Sequence, residues 1–398
     1  MFFDIKKEAY KKSLELLVNN STDFGLMAAT PNKEAGEEMY INIFARDASI
    51  SALGMISSGE KELIEISKKS ILSLADFQTK LGQIPSSINP SLEQDYFYYL
   101  GSIDSTLWWL IAVDFYNKHT SDKALKLELG EKTTKALTWL FYQDTNNDGL
   151  LEQGEASDWA DYMPNNGIVL YTNVLWAHVL YLYGYEEEFN LAKDGLNSIF
   201  LPHEAKIEKS KYLQKEIYRR KTLEQLKTRV EESPCYLHYI SYRYASDRCD
   251  ILANSLAILF NISSKSKSTE IIRYIIGSKA NKKYPIQALF PSIKKNDVDF
   301  RKYLSEEPSL NNPNAYHNGG IWPFIGGFWI LALQKAGQND LARRELRRLA
   351  EINKKNNWEF NEWFNSKNFK ASGMKGQSWN AAMYVLAYNS IKNNTKFF

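Results

Sequence analysis

The sequence predicts an all-α protein whose helical hairpins close into a ring, an (α/α)6 toroid, and three observations predict it. About a dozen apolar or amphipathic segments have helical length, consistent with helix pairs of roughly 30 to 35 residues. Few segments alternate with the period of two that strands require. Polar and aromatic clusters recur at helix starts along the whole chain. If successive hairpins close into a ring, these helix starts meet at one rim and share one pocket.

The helices are expected within a single domain that spans residues 1–398. Residues 204–232 interrupt the apolar pattern with a highly charged helical stretch. Acidic residues interleave with the basic ones there, which favours a solvated surface insertion or flap over a nucleic-acid patch. The other helices are expected over residues 5–20, from Ala48, and over 61–78, 121–142, 172–185 and 187–199, with further helices in the second half of the chain.

Composition excludes several classes of partner. A net charge of +2 gives no reason to expect nucleic acid or an acidic membrane surface. Two cysteines, Cys235 and Cys249, cannot build a disulfide framework, and the five histidines lack zinc-site spacing. The first residues do not resemble a secretion signal, and no apolar run reaches the roughly 18 residues of a membrane span. We therefore expect a cytoplasmic protein; its oligomeric state is left open between monomer and homo-oligomer.

The aromatic content is high, with 10 Trp, 24 Tyr and 20 Phe. Many of these rings could simply fill the core. Several stand beside Asp, Asn, Gln or His, however, and that mixture suits polyhydroxylated rings, whose C–H faces stack on aromatics while their hydroxyls form hydrogen bonds.

The stretch 154–171, GEASDWADYMPNNGIVLY, concentrates acidic residues. Glu155, Asp158 and Asp161 are spaced by three around Trp159, so they could share one face of a helical turn beside an exposed indole. A neighbouring aromatic raises the pKa of a carboxyl group and keeps it a proton donor near neutrality. The alternative is an acidic helix start after a surface loop, because acids favour helix N-termini.

A possible calcium loop precedes this stretch. The segment DTNNDGLLEQGE places Asp144, Asn146 and Asp148 in the pattern D-x-N-x-D-G, with Glu155 at the twelfth position. The same residues also make an ordinary Asx-rich turn, and no second loop supplies the usual pairing. A structural Ca²⁺ is therefore one of two interpretations, and no other cofactor is expected.

Other helix starts carry paired polar residues that have two interpretations each. Arg46 and Asp47 could form a cap with a surface ion pair, or an inward pair offered to a ligand. Asp104 and Ser105 open a strongly apolar helix, as Asp250 does later in the chain. Each of these could simply cap its helix.

Five segments resemble one known superfamily, and they keep its order from about residue 40 to 390. They are NIFARDASISALGM, GSIDSTLWWLIAV, WADYM followed by YTNVLWAHVL, YHNGGIWPF, and GQSWNAAMYVLAY. Together they resemble the six-hairpin glycosidases, and most closely the amylo-alpha-1,6-glucosidase domain of glycogen-debranching enzymes. The resemblance implies a six-hairpin (α/α)6 barrel that hydrolyses glycosidic bonds.

The resemblance also implies two catalytic carboxyl groups. The general acid falls on Asp161 in WADYM, with Asp158 as the fallback. The general base falls on Glu362 in FNEWF, between Trp358 and Trp363. Inverting hydrolysis needs one protonated carboxyl at the glycosidic oxygen and one carboxylate that activates water on the opposite ring face.

Further residues are implied as substrate contacts. Core packing is at least as good an interpretation for Trp108 and Trp379, whereas His317 favours a polar pocket position over the core. The predicted substrate-binding residues are Arg46, Asp47, Asp104, Trp108, Asp158, Trp159, Asp250, His317, Asn318, Trp322, Gln377 and Trp379.

The leading expectation is an inverting, exo-acting hydrolase of an α-glucosidic bond, either an α-1,6 branch stub or a short α-gluco-oligosaccharide. The first alternative is a disaccharide or small-glycoside hydrolase that is invertase-like, trehalase-like or glucosylglycerate/mannosylglycerate-hydrolase-like. The second is a non-catalytic carbohydrate-binding protein. The scarcity of histidine disfavours an epimerase, which would need a histidine proton shuttle.

Overall fold

The computed structural model describes residues 4–31, 42–98, 100–306 and 311–398. Over these residues the chain is rich in α-helix, as expected. The helices are α1 (Ile5–Asn19), α2 (Ala45–Ser58), α3 (Lys61–Asp76), α4 (Ile103–His119), α5 (Ala124–Glu128), α6 (Gly130–Phe141), α7 (Leu170–Leu182), α8 (Glu186–Ile199), α9 (Lys211–Lys215), α10 (Ile217–Arg229), α11 (Ile251–Leu259), α12 (Lys265–Gly277), α13 (Pro323–Lys335), α14 (Asn339–Asn353), α15 (Lys355–Trp358) and α16 (Ser378–Asn393).

The strands are only two or three residues long and pair antiparallel in ribbons. Their orders are β1-β2-β3, β4-β5-β6-β7, β8-β9 and β10-β11. The strands are β1 (Ile43–Phe44), β2 (Ser87–Asn89), β3 (Gln94–Tyr96), β4 (Glu152–Gln153), β5 (Gly167–Val169), β6 (Tyr239–Ile240), β7 (Ala245–Ser246), β8 (Cys249–Asp250), β9 (Leu289–Phe290), β10 (Trp363–Phe364) and β11 (Ala371–Ser372).

Two kinds of helix follow from the apolar pattern. Helices α4, α7, α11 and α13 are apolar on nearly all sides, and almost every residue in them is buried. In α14, by contrast, the buried residues include Ala342, Leu346 and Leu349, spaced three or four apart, while charged residues occupy the other face. A helix that is apolar all round must pack in the interior, and an amphipathic one covers it.

The interior helices contact one another in a closed series. Helix α2 packs on α4, α4 on α7, α7 on α11, α11 on α13, α13 on α16, and α16 on α2. Further helices pack against these: α3 on α2, α8 on α7, α12 on α11, α14 on α13, and α1 on α16. Neighbours along the chain therefore form pairs of one interior and one covering helix.

The short ribbons fix where interior helices begin. Strands β1, β5 and β8 run directly into α2, α7 and α11. The first N–H of each of these helices then bonds outside the helix, from Ala45 to the carbonyl of Ser86, from Leu170 to that of His238, and from Ile251 to that of Ala288. These bonds satisfy amides that a helix start leaves unpaired, and they hold the starts in register.

Three expectations about the chain change in detail. The predicted helix over 121–142 is two helices, α5 and α6, which meet at Leu129 and Gly130. The charged stretch 204–232 contains α9 and α10, which pack on α8. Cys235 and Cys249 form one disulfide with their Cα atoms 5.6 Å apart.

Among the described residues, the helices are too short or too polar to cross a bilayer.

Candidate active site

Six of the predicted site residues lie in one electrostatic neighbourhood. The Asp161 carboxyl interacts with the charges of Arg46, Asp158 and Asp104. The Glu362 carboxyl interacts with those of Asp47 and Asp161. Residues from α2, α4, the loop before α7 and the segment before β10 thus surround the same space, although their positions in the chain are far apart.

Arg46 faces inward, and Asp104 is its partner. The Arg46 Nε donates to Asp104 Oδ2 at 2.6 Å, and a terminal amino group of its guanidinium donates to Oδ1 at 3.1 Å. The Tyr171 hydroxyl adds a third donor to Oδ2 at 3.0 Å, and Trp108 Nε1 in turn donates to that hydroxyl at 2.7 Å. Arg46 is therefore held inside the protein, and its acidic partner is Asp104 in the first turn of α4, not the neighbouring Asp47.

Asp158 is buried, and its carboxylate accepts three hydrogen bonds within the protein. Its carboxylate accepts from the side-chain amides of Gln153 at 2.8 Å and Asn165 at 2.6 Å, and from the backbone N–H of Ala160 at 2.8 Å. Burial nevertheless raises the pKa of Asp158 to about 6, and the Asp104 charge adds to the increase. Its contacts hold the loop that carries Asp161.

Asp161 differs from Asp158 in its surroundings. Its side chain is half-buried, and its Oδ1 is enclosed without a hydrogen-bond partner among the described residues. Burial raises the pKa of Asp161 to about 7, opposed by the Arg46 charge and reinforced by the charges of Asp158 and Asp104. A carboxyl group with an unused oxygen and a pKa near neutrality can give or take a proton at physiological pH.

Glu362 is the second carboxyl group with these properties. Burial raises the pKa of Glu362 to about 7, and the charges of Asp47 and Asp161 add to the increase. The backbone N–H of Met374 donates to its Oε2 at 2.8 Å and acts in the opposite direction. Asp47 itself has a pKa raised to about 6, chiefly by burial.

The loop before α7 corrects three expectations. Residues 155–161 form turns, so Glu155, Asp158 and Asp161 do not share a helical face. The Glu155 carboxylate instead accepts from the Tyr303 hydroxyl. Trp159 is only 5% exposed, because its ring packs against His317, Trp322 and Phe324 with centroids 4.9 to 5.5 Å apart.

These rings form an aromatic cluster, defined by Trp159, His317, Trp322, Phe324 and Trp379. His317 is 3% exposed and stacks on Trp322, and burial lowers its pKa well below the usual value, so the ring is neutral. Its Nδ1 has no hydrogen-bond partner among the described residues. His317 is therefore part of the buried cluster, where its ring still has an unused nitrogen.

Two of the predicted contacts, Trp108 and Asn318, are engaged within the protein. Trp108 is fully buried and packs on Phe328 in the core, as its alternative interpretation held. The Asn318 amide bonds to both backbone groups of Ile293 and to the carbonyl of Asn311, so it fixes a loop.

Asp250 and Gln377 lie at helix starts. Asp250 caps α11, accepting from the N–H of Ala253, and its Oδ2 lies 3.8 Å from Nε2 of His238. Burial raises the pKa of Asp250 to about 7 and lowers that of His238 to about 4. Gln377 precedes α16, and its Oε1 is buried without a partner among the described residues.

The sequence pattern missed the groups that hold the carboxylates. Tyr171 binds Asp104, and Gln153 and Asn165 bind Asp158. All three lie within or beside the stretch 154–171, but their partners depend on how the turns fold. The spacing of residues along the sequence does not show which side chains hydrogen-bond to these carboxylates.

The predicted calcium loop does not form as expected. Glu155 lies with Tyr303, whereas Asp144, Asp148 and Glu152 cluster with oxygen atoms within 4.8 Å of one another. The Asp144 oxygens accept from the N–H groups of Asp148 and Gly149.

The rest of this acidic loop is also paired within the protein. The Asp148 oxygens accept from the Leu150 N–H and the Tyr212 hydroxyl, and Glu152 Oε2 accepts from Thr145. The Arg219 guanidinium interacts with the Asp148 charge. The chain's own donors thus pair with oxygens of Asp144, Asp148 and Glu152, and Glu155, the predicted twelfth-position ligand, accepts from Tyr303.

Some of the buried polar atoms without partners lie at or beside the helix starts. Such atoms are costly unless a ligand or water pairs with them. Among the described residues, those on or next to the helix starts are Asn42 Oδ1, Ser105 Oγ, Asp161 Oδ1, Asn165 Oδ1, His238 Nδ1, Tyr239 Oη, Ser246 Oγ, His317 Nδ1, Asn361 Oδ1, Gln377 Oε1 and Trp379 Nε1.

The chain is similar to known carbohydrate enzymes. Residues 172–394, more than half of the chain, match the profile of the family described as alkaline and neutral invertase. Cytosolic invertase 1 of Oryza sativa subsp. japonica is 24% identical, over 96% of this chain and 76% of that protein. The probable alkaline/neutral invertase F of Arabidopsis thaliana is 23% identical, over 89% and 81%.

Solved structures show the same fold at low identity. A mannosylglycerate hydrolase from Thermus thermophilus, in complex with Tris and D-glycerate, matches with a TM-score of 0.65 and 14% identity, over 95% of this chain and 99% of that one. A rhamnosidase from Klebsiella oxytoca with rhamnose bound has a TM-score of 0.59 and 13% identity, over 99% and 65%.

Proposed function

The chain belongs to the alkaline and neutral invertase family of glycoside hydrolases, and from this premise we propose that it hydrolyses the α-glucosidic bond of a small sugar, with sucrose as the first candidate. Sucrose contains an α-glucosyl unit, so the bond to be cleaved is still α-glucosidic. The α-1,6 branch stub becomes the second candidate substrate, after the disaccharide. The reaction needs no cofactor, because two carboxyl groups supply both proton transfers.

The observation that carries this proposal is the pair Asp161 and Glu362. About half of the chain separates them in sequence. Each nevertheless interacts with the charges of other acidic residues around the site, and the pKa of each is raised to about 7. Near neutral pH such a pair can hold one proton and one negative charge. That is the state which inverting hydrolysis requires.

The proposed reaction assigns one proton transfer to each carboxyl. Asp161, protonated, donates to the glycosidic oxygen as its bond to the anomeric carbon breaks. Glu362, ionised, takes a proton from the water that attacks that carbon from the opposite face. The glucosyl unit is released as β-glucose, and fructose is the other product. Proton exchange with solvent then restores the starting protonation state of both carboxyl groups.

Asp161 is preferred to Asp158 as the acid because of their hydrogen bonds. The Asp158 oxygens accept three bonds within the protein, whereas Asp161 Oδ1 has no partner among the described residues. A proton donor needs a free path to the glycosidic oxygen. Asp158 is assigned to holding the loop.

Sugar binding is assigned to polar groups at the helix starts. Arg46, Asp47 and Gln377 lie at the starts of α2 and α16, and their groups suit sugar hydroxyls. The aromatic cluster supplies a wall beside them. We also infer that the closed series of interior helices is an (α/α)6 toroid, that residues 1–398 form one catalytic domain, and that the charged insertion lies outside the ring.

The test is a panel of substrates at equal concentration: sucrose, trehalose, isomaltose, panose and limit dextrin. Wild-type protein is expected to release equal amounts of glucose and fructose from sucrose, and Asp161→Asn should release none. Glucose from isomaltose or panose, with sucrose untouched, would return the α-1,6 substrate to first place. A folded protein that binds these sugars without any turnover would contradict a hydrolytic function.

A further inference from the structure

The carboxylate of Glu362 rests against a tight hairpin. Strands β10 and β11 pair with Trp363 opposite Ser372 and Phe364 opposite Ala371. Just beyond that ladder, Glu362 N–H donates to the Met374 carbonyl at 2.8 Å, and Met374 N–H donates back to Glu362 Oε2 at 2.8 Å. The side chain is therefore folded onto the backbone of the opposite strand end.

Gly373 makes this close approach possible. It has a φ of +73°, in the left-handed region that suits glycine, and a Cβ atom there would lie 2.2 Å from Glu362 Oε2. The same Cβ would lie 2.7 Å from Glu362 Cβ and 2.9 Å from its Cδ. Any other residue would have to displace the carboxylate or the strand that carries it.

We propose that Gly373 is a positioning residue for Glu362, fixing its carboxylate against the Met374 N–H and aiming the remaining oxygen at the attacking water. The catalytic consequence rests on the proposed function, but the placement of the carboxylate stands on the hairpin alone. Gly373 makes no contact with substrate; it acts through Glu362.

The hydrogen bond from the Met374 N–H also affects the pH range in which Glu362 is ionised and can accept a proton. An N–H donor favours the ionised form, whereas burial and the facing charges of Asp47 and Asp161 favour the protonated form. Moving Oε2 away from Met374 removes the only one of these influences that lowers the pKa of Glu362. The pKa should then rise, and a general base with a higher pKa becomes active only at higher pH.

Gly373→Ala tests the placement in the full chain. We expect kcat to fall about 30- to 100-fold with little change in KM, since displacing a reacting group by about 1 Å costs on the order of 100-fold. The acid limb of the pH–kcat profile should move to higher pH by about half a unit or more. A merely structural role would lower activity without moving that limb.

Gly59→Ala and Gly337→Ala are matched controls. Both glycines have positive φ, +75° and +78°, and an added Cβ would meet nothing within 4 Å. They report the backbone strain that alanine suffers at such positions, without a collision. Both should keep wild-type kcat and pH profile while Tm falls by about 1–3 °C.

A stability cycle decides the question without relying on activity. Gly373→Ala is measured by thermal unfolding in the wild type and in Glu362→Gly, which removes every atom the new Cβ would meet on that side chain. If Gly373 serves Glu362, the loss in Tm should shrink to that of the controls in the Glu362→Gly background. An equal loss in both backgrounds, or Gly373→Ala with full activity and an unmoved acid limb, would overturn the proposal.

The two proposals can also fail separately. If the wild type hydrolyses nothing in the sugar panel, the proposed function fails, and the pKa of Glu362 is followed instead by carboxyl ¹³C NMR, with Glu362→Gln assigning the signal. A pKa that rises in Gly373→Ala and stays put in Gly337→Ala supports positioning. A pKa that is unchanged in both contradicts it.

Discussion

Two acidic regions of the molecule look alike in composition and differ in what surrounds them. The loop cluster of Asp144, Asp148 and Glu152 comes from one short stretch of the sequence, which matches a metal-loop pattern. Its oxygens are largely paired with backbone N–H groups and with Tyr212. The pair of Asp161 and Glu362 matches no local pattern, yet it lies where burial raises both pKa values to about 7.

The difference teaches where chemistry is to be sought in this fold. A carboxylate that the protein already satisfies stabilises a loop, whereas one left with an unused oxygen in a low-dielectric site is available to a substrate. Carboxylates that are close in sequence, as in the loop cluster, tend to be paired within their own loop. Carboxylates brought together from distant helix starts are left available to a substrate.

The largest expected effect separates the two regions. Asp161→Asn and Glu362→Gln should each lower kcat by about 10³-fold or more, because each removes a proton transfer while keeping the shape of the side chain. Asp148→Asn is the matched change in the loop cluster and should leave kcat within about twofold. Circular dichroism and steady-state hydrolysis of sucrose measure folding and turnover on the same samples. Near-normal turnover by Glu362→Gln would end its assignment as base.

A smaller loss is expected from Asp158→Asn. This change keeps one acceptor oxygen but weakens the bonds from Gln153 and Asn165 that hold the loop of Asp161. We expect kcat to fall about 10-fold, with a lower Tm. If Asp158→Asn were as inactive as Asp161→Asn is predicted to be, while Asp161→Asn kept activity, the acid would be Asp158.

The stability of the folded protein should depend on pH through Glu362. Its pKa is raised to about 7, above the value of about 4.3 for an unfolded glutamate, so its favourable contribution is complete below about pH 4 and is lost as pH rises through 7. Glu362→Gln removes that loss and should raise the unfolding free energy by about 1–3 kcal/mol at pH 8, and by much less at pH 5.

Urea unfolding at the two pH values measures this dependence. Glu62→Gln, an exposed position on α3, is the control and should show no such difference between pH 5 and pH 8. A Glu362→Gln protein that is less stable than the wild type at pH 8 would mean that the carboxylate is favourably paired in the folded state.

The smallest effect concerns calcium. Because the chain's own donors occupy the oxygens of Asp144 and Asp148, EDTA should leave Tm unchanged to within about 1 °C, and added CaCl₂ should do the same. Differential scanning calorimetry measures both. A rise of several degrees with CaCl₂ that Asp148→Asn abolishes would restore the metal interpretation.

The helical architecture can be predicted from the sequence because its signal is periodic. Helices such as α7 and α11 are apolar all round, and α14 has one apolar stripe, so the sequence alone distinguishes interior from covering helices. Their starts are equally visible as polar clusters. The short ribbons are not, because two- or three-residue strands are too brief to establish a period.

The site can be predicted only in part. The positions of Asp161 and Glu362 follow from resemblance, and the charges around both match a shared site. The burial of Trp159 and the loop contacts of Asn318 depend on folded turns that spacing cannot encode. The role of Gly373 depends on a contact between the ends of a hairpin, so the glycine by itself carries no signal in the sequence.

We propose that Asp161 and Glu362 act on opposite faces of one sugar ring. Proton NMR during the first minutes of sucrose hydrolysis, before mutarotation, tests it most directly. We predict that the β-anomer of glucose appears first and that Asp161→Asn and Glu362→Gln abolish the signal. First appearance of α-glucose, or unchanged glucose release by either variant, would contradict it.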